Sequence, residues 1–90
     1  MRNVEKVKNG SCQISFLPLC EQNPEHAVNR VLAIIDKADV ESEVGPVSTL
    51  LRGNPDQIFL VLQEIYETME SEGFQFSMNL LISNHCGCGK

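Results

Sequence analysis

The fold of this chain is indicated by a helix start that occurs twice, first as Asn23-Pro24-Glu25 and again, 31 residues later, as Asn54-Pro55-Asp56. Asparagine is a favoured N-cap, proline suits the first helical position, and an acidic residue in the first turn interacts favourably with the helix dipole. Apolar residues follow each start at helical spacing, and Gly73 comes where the second helix needs a C-terminal cap. The pattern predicts two amphipathic helices. Their apolar residues are Ala27, Val28, Val31, Leu32, Ile34, Ile35 and Ala38 in the first, and Ile58, Phe59, Val61, Leu62, Ile65, Tyr66 and Met69 in the second.

Four strands are predicted around these helices. Residues 11–19 alternate between apolar and polar, residues 40–45 and 47–52 flank a Gly45-Pro46 turn, and residues 74–83 alternate again. The order is therefore strand, helix, strand, strand, helix, strand. This doubled βαβ unit predicts an α+β, ferredoxin-like fold, in which two helices cover one face of a four-stranded antiparallel sheet.

The face of the sheet opposite the helices, called the open face below, has an unusual composition. Alternation assigns to it mostly small or amide-bearing side chains, which form directed hydrogen bonds without the desolvation cost of a charge. Two readings stay open, a solvated or subunit-contact face and a hydrogen-bonding pocket where two sheets meet, and both can hold together. The third strand is left unassigned because residues 48–51 do not alternate. The open-face residues are Gln13, Ser15, Leu17, Glu41, Glu43, Gln75, Ser77, Asn79, Leu81 and Ser83.

Length and charge restrict the organisation and the partners. We expect a flexible leader over residues 1–10, one ligand-binding domain over residues 11–84 and a short tail over residues 85–90. A net charge of −5 with scattered Lys and Arg argues against nucleic-acid binding, which needs a basic stripe. No apolar run reaches the ~18 to 20 residues of a membrane span, and no secretory signal opens the chain. We therefore expect a cytoplasmic protein with reduced cysteines.

Residues that could carry out catalysis are scarce. No recognised catalytic motif or phosphate-binding glycine loop is present, and His26 lies in a first helical turn, where the dipole makes it a poor base. Cys12 and Cys20 adjoin strand ends, where buried, unreactive thiols are common. We predict no enzyme activity, no catalytic residue and no cofactor.

The C-terminal sequence His85-Cys86-Gly87-Cys88 supplies three soft ligands that suit zinc or cuprous copper. A closed structural zinc site uses four ligands, usually in separated pairs, and this cluster stands alone. An unbound tail is therefore favoured over a metal site, and metal binding through the tail stays an alternative.

Several segments resemble the YkoF-type thiamine/hydroxymethylpyrimidine-binding proteins, which are related to a one-repeat thiamine-binding family of the same fold. The likeness extends, in register, over most of residues 11–88. The similar segments are Cys12–Leu19 for the first strand, Ser48–Gly53 for the third, Ile58–Tyr66 for the second helix, Met78-Asn79 with the Ile-Ser-x-x-Cys ending at Cys86 for the last strand, and Glu43-Val44-Gly45-Pro46, which is similar to the hairpin of the one-repeat relatives.

The resemblance implies non-enzymatic binding of thiamine or its hydroxymethylpyrimidine moiety, for uptake, salvage or intracellular delivery. Because YkoF-type chains hold two repeats and this chain holds one, it also implies a homodimer or tetramer, with the ligand against the sheet near the subunit junction. Its polar contacts would be Ser15, Ser48, Thr49 and Asn79, with Glu43 carried over from the one-repeat relatives alone. The alternative is an oligomeric regulatory module of this fold without a thiamine ligand.

Overall fold

The computed structural model describes residues 9–20 and 22–84, and within them it has the predicted order of elements. The first and last strands lie within one residue of their predicted limits. The two middle strands are shorter than predicted, because residues 45–48 form the turn, in which the Gly45 amide donates a 2.8 Å hydrogen bond to the Ser48 carbonyl. The elements are β1 (Gly10–Leu19), α1 (Pro24–Lys37), β2 (Glu41–Val44), β3 (Thr49–Gly53), α2 (Pro55–Ser71) and β4 (Gln75–Ser83).

The strands form one antiparallel sheet in the order β2-β3-β1-β4, so β1 and β3 are interior and β2 and β4 are the edges. Both helices pack against one face of this sheet, which confirms the predicted ferredoxin-like architecture. The interior strands supply Cys12, Ile14 and Leu51 to the core. From the helices come Ala27, Val31, Ile34, Ile35, Ile58, Val61, Leu62, Ile65 and Met69.

The two described cysteines differ in environment. Cys12 is fully buried in the core, as predicted, and burial raises the pKa of its thiol. Such a thiol behaves as a small apolar side chain. The prediction that Cys20 is buried is wrong: it is exposed at the end of β1, with a φ of +53°. Its backbone there turns the chain away from the sheet toward α1.

The C-terminal end of α2 is tied to both the core and α1. Gly73 adopts a φ of +87°, and the amides of Gly73 and Phe74 donate to the carbonyls of Glu70 and Met69, which is the glycine-dependent cap predicted from the sequence. Glu72 forms a two-pronged ion pair with Arg30 of α1. The hydrogen bond from Arg30 lowers the pKa of Glu72, so the stability it contributes is present above the ordinary carboxyl pKa and is lost as pH falls through the lowered value.

The two Asn-Pro-acid starts are not equivalent in the structure. The Asn54 side chain accepts a 2.8 Å hydrogen bond from the Asp56 amide, with β-region backbone angles typical of an N-cap. The Asn23 side chain makes no such bond, and its backbone has φ −127° and ψ 80°. The prediction that Asn23 caps α1 is therefore wrong, because its backbone lies outside the conformation that aims the side chain at the first turn.

Asn54→Ala and Asn23→Ala form a matched pair of the same substitution before the same helix start. Asn54→Ala should lower the free energy of unfolding by about 1 kcal/mol through loss of the cap, and Asn23→Ala by no more than a few tenths of that. Urea unfolding of both variants at one protein concentration measures the difference. Equal losses would contradict the assigned cap geometry.

Candidate functional site

The centre of the open face is formed by Ser15 of β1 and Asn79 of β4, which are direct cross-strand partners. Partners in an antiparallel ladder project their side chains to the same face, so the hydroxyl and the carboxamide are neighbours. Gln13 pairs with Leu81 on one side of them, and Leu17 lies on the other. Leu17 and Leu81 are both exposed. The arrangement is therefore a hydrogen-bonding pair between two apolar side chains, as the alternation predicted.

The register of β3 resolves the strand that the sequence pattern left open. Leu51 pairs with the buried Cys12 and belongs to the core, whereas Leu50 pairs with Gln13 and lies on the open face. Leu50 thus joins the candidate surface as a half-buried apolar residue. Sequence reasoning missed it, because two adjacent leucines carry no alternation signal and only pairing with β1 tells them apart.

Thr49 lies on the other face of the sheet. It pairs with the buried Ile14 and lines a cavity of about 180 Å³ between the β2–β3 hairpin and α1, together with Val28 and Val31. Of the five predicted binding residues, Thr49 is therefore separated by the sheet from Ser15 and Asn79.

Ser48 occupies the boundary between these two places. It is half-buried, its carbonyl closes the hairpin, and it also lines the cavity. The β1–β3 ladder ends one position away, at Ile14 and Thr49. Continued alternation would direct Ser48 to the open face, next to Ser15. Its place in the fold suits a contact at the rim of the open face.

Glu43 lies at the β2 end of the open face, opposite Leu50. Its carboxylate is 3.6 Å from the Arg52 guanidinium, which is also 3.5 Å from the Glu41 carboxylate. Both carboxylates are largely exposed, so water screens these pairs and they contribute little to stability. The structure thus separates Glu43 from the Ser15–Asn79 pair and gives this end of the face one cation shared by two anions.

The remaining polar groups do not add a reactive centre to the open face. His26, the one histidine among the described residues, lies at the start of α1 with its ring 5.8 Å from that of Phe74. Residues 9–20 and 22–84 contain no group of three His, Cys, Asp or Glu side chains that could hold a metal ion. The predicted soft-ligand cluster of the tail lies outside the described residues. Neither described helix is both long and apolar enough to cross a membrane.

Similar folds occur in solved structures from several bacteria. A protein from Thermotoga maritima, named as a candidate thiamine biosynthesis/salvage protein, has 22% sequence identity and a TM-score of 0.77, with 88% of this chain and 86% of that chain covered. A protein from Streptococcus pneumoniae has 25% identity and a TM-score of 0.76, with 83% and 84% covered. A domain of unknown function from Bacillus cereus has 18% identity and a TM-score of 0.77, with 92% and 82% covered. These likenesses support the fold.

Sequence comparison identifies the family directly. No curated protein sequence is significantly similar to this chain. A sequence model of the family described as "Thiamine-binding protein" matches residues 12–85, which begin in β1 and run past the end of β4. Because this match takes in well over half of the sequence and every strand and helix described above, the chain belongs to the thiamine-binding protein family.

Proposed function

We propose that this chain binds thiamine or its hydroxymethylpyrimidine moiety on the open face of the sheet and catalyses no reaction. The observation that carries the proposal is the Ser15–Asn79 pair between exposed leucines, in a chain of the thiamine-binding family. Small-molecule sites are mostly apolar with a few placed polar groups, and this surface has that composition.

The aminopyrimidine ring matches the chemistry of this pair. Its edge presents an amine donor beside a ring-nitrogen acceptor, and a carboxamide such as that of Asn79 offers the complementary acceptor and donor. The Ser15 hydroxyl can donate or accept. Leu17, Leu50 and Leu81 supply the apolar contacts for the faces of the ring. Ser48 would complete the polar contacts from the rim.

A second copy of the chain is needed to enclose the ligand. Ligand pockets usually bury about 70–90% of the ligand surface, and an open sheet face covers one side alone. Leu81 is 64% exposed and Leu17 47% exposed, so a covering subunit would gain by burying them. We therefore propose a homodimer or tetramer in which open faces of two copies enclose the ligand.

The charges at the β2 end of the face give Glu43 a different role from that of Asn79. Glu41 and Glu43 together exceed the single Arg52 by one negative charge. The thiazolium of thiamine is a cation, so this end of the face would attract it through solvent, and the chain's net charge of −5 acts in the same direction. Glu43 is thus proposed to favour intact thiamine over the neutral pyrimidine.

A binding protein of this kind would serve uptake, salvage or intracellular delivery of the ligand. Such a role requires release of an unchanged molecule. Ligand recovered after incubation with the protein should therefore be chemically intact, and a new product would support an enzyme instead.

Isothermal titration of the purified oligomer with thiamine, and separately with hydroxymethylpyrimidine, tests the function. We expect saturable binding with a Kd in the micromolar range or tighter, about −8 kcal/mol. A flat titration with both compounds would contradict the proposal and favour a regulatory module without this ligand. Zinc or copper uptake that is lost in Cys86→Ser would instead favour metal binding by the tail.

Variants of the open face test the site. Asn79→Ala and Ser15→Ala should each weaken binding about tenfold or more, since about 1.4 kcal/mol corresponds to a factor of ten. Matched controls are Asn29→Ala on α1 and Ser42→Ala on β2, both exposed and away from the open face, and these should bind like the parent. Parent-like binding by Asn79→Ala and Ser15→Ala would refute the site.

Thr49→Val distinguishes the two faces of the sheet. This substitution keeps the shape of the side chain and removes its hydroxyl, which lies on the side of the hairpin cavity. A ligand on the open face does not reach it, so binding should be retained. Loss of binding in Thr49→Val, with Asn79→Ala unaffected, would move the ligand into the hairpin cavity.

A further inference from the structure

The two edges of the sheet differ in how they are protected against pairing. An exposed edge strand offers unpaired backbone groups, and proteins usually limit this with short strands, charges and prolines. The β2 edge has all three features: it is four residues long, carries Glu41 and Glu43, and is followed by Gly45-Pro46. This edge is built to remain single.

The β4 edge has none of them. It is nine residues long, and every residue from Gln75 to Ser83 pairs with β1 on its inner side. Its sequence, Gln-Phe-Ser-Met-Asn-Leu-Leu-Ile-Ser, contains no charged residue, proline or glycine. Among the described residues no strand pairs with its outer side. Such a strand is a ready template for a further strand.

Exposed apolar side chains accompany this edge along its length. Leu80 and Ile82 are on the helix side of the sheet, yet they are 42% and 46% exposed. Phe59 of α2 shares a groove with Ile82, and the Tyr66 ring meets the Phe76 ring edge-on at 5.4 Å. Phe59 and Tyr66 are each 54% exposed. A continuous apolar edge of this kind marks an interaction surface.

We propose that β4 pairs antiparallel with β4 of a second copy of this chain, about a two-fold axis at Asn79. Self-pairing about such an axis sets each side chain opposite or near its own kind, so charged residues would repel, and this strand has none. With Asn79 opposite Asn79, Leu80 meets Met78 and Ile82 meets Phe76 on the helix side. Apolar residues thus face apolar residues throughout, which makes the edge self-complementary, as a symmetric interface requires.

The pairing produces one eight-stranded sheet with all four helices on one side. The open faces of the two copies then form a single continuous surface, and their Asn79 side chains meet at its centre. This interface stands on the strand edge alone and does not depend on the proposed ligand. It is also distinct from the face-to-face covering proposed above, so the two contacts together would give a tetramer.

A lysine on each edge provides the test. Leu80 and Val44 lie in one row across the sheet, on the same face, but on opposite edges, and both are exposed. Light scattering after size exclusion should give a parent mass that Leu80→Lys halves and Val44→Lys leaves unchanged. A monomeric parent, a Leu80→Lys variant with the parent mass, or a Val44→Lys variant with half of it would overturn the proposal.

Cross-linking tests the register without depending on how well Leu80→Lys folds. In a chain with Cys20, Cys86 and Cys88 changed to serine, Asn79→Cys places two thiols across the axis, where paired Cα atoms are about 4.5–5.5 Å apart and within disulfide range. The control, Gln75→Cys, would stand eight residue positions from its counterpart, roughly 26 Å. We expect a covalent dimer from Asn79→Cys alone; no dimer from it, or equal yields from both, would overturn the register.

Discussion

Strand β1 lies between β3 and β4, and its pairing with both neighbours decides which way every strand side chain points. Cys12 and Ile14 face the helices and are buried, so Gln13 and Ser15 must face away. A slip of one residue would bury Gln13 and Ser15 and expose the core side chains. The burial that stabilises the sheet therefore also fixes the candidate site, although no residue of the site belongs to the core.

The same pairing makes β4 the strand on which two functions meet. Its inner side holds Asn79 opposite Ser15, and its outer side is an uncharged edge. In the proposed assembly, the residue at the two-fold axis is also the residue proposed to read the aminopyrimidine. Oligomerisation and ligand binding would then be coupled through one strand, because a shift of β4 changes both the site and the interface.

Most of the fold could be predicted from the sequence because β1, β4 and both helices carry clean periodicity. Ser15 and Asn79 followed from that alternation. Thr49 and Leu50 could not be placed in the same way, since the adjacent leucines after Thr49 point to opposite faces and only partner register distinguishes them. Asn23 shows a related limit: its motif matches that of Asn54, but capping depends on a backbone angle that the motif does not determine.

Backbone amide shifts of the ¹⁵N-labelled chain during titration with thiamine test the central claim most directly, because they locate the ligand on the sheet. Binding on the open face predicts the largest saturable shifts along β1 and β4 around Ser15 and Asn79, with small shifts in α1 around Val28 and Val31. The largest shifts in α1 and the β2–β3 hairpin, or saturation without shifts in β1 and β4, would contradict the account.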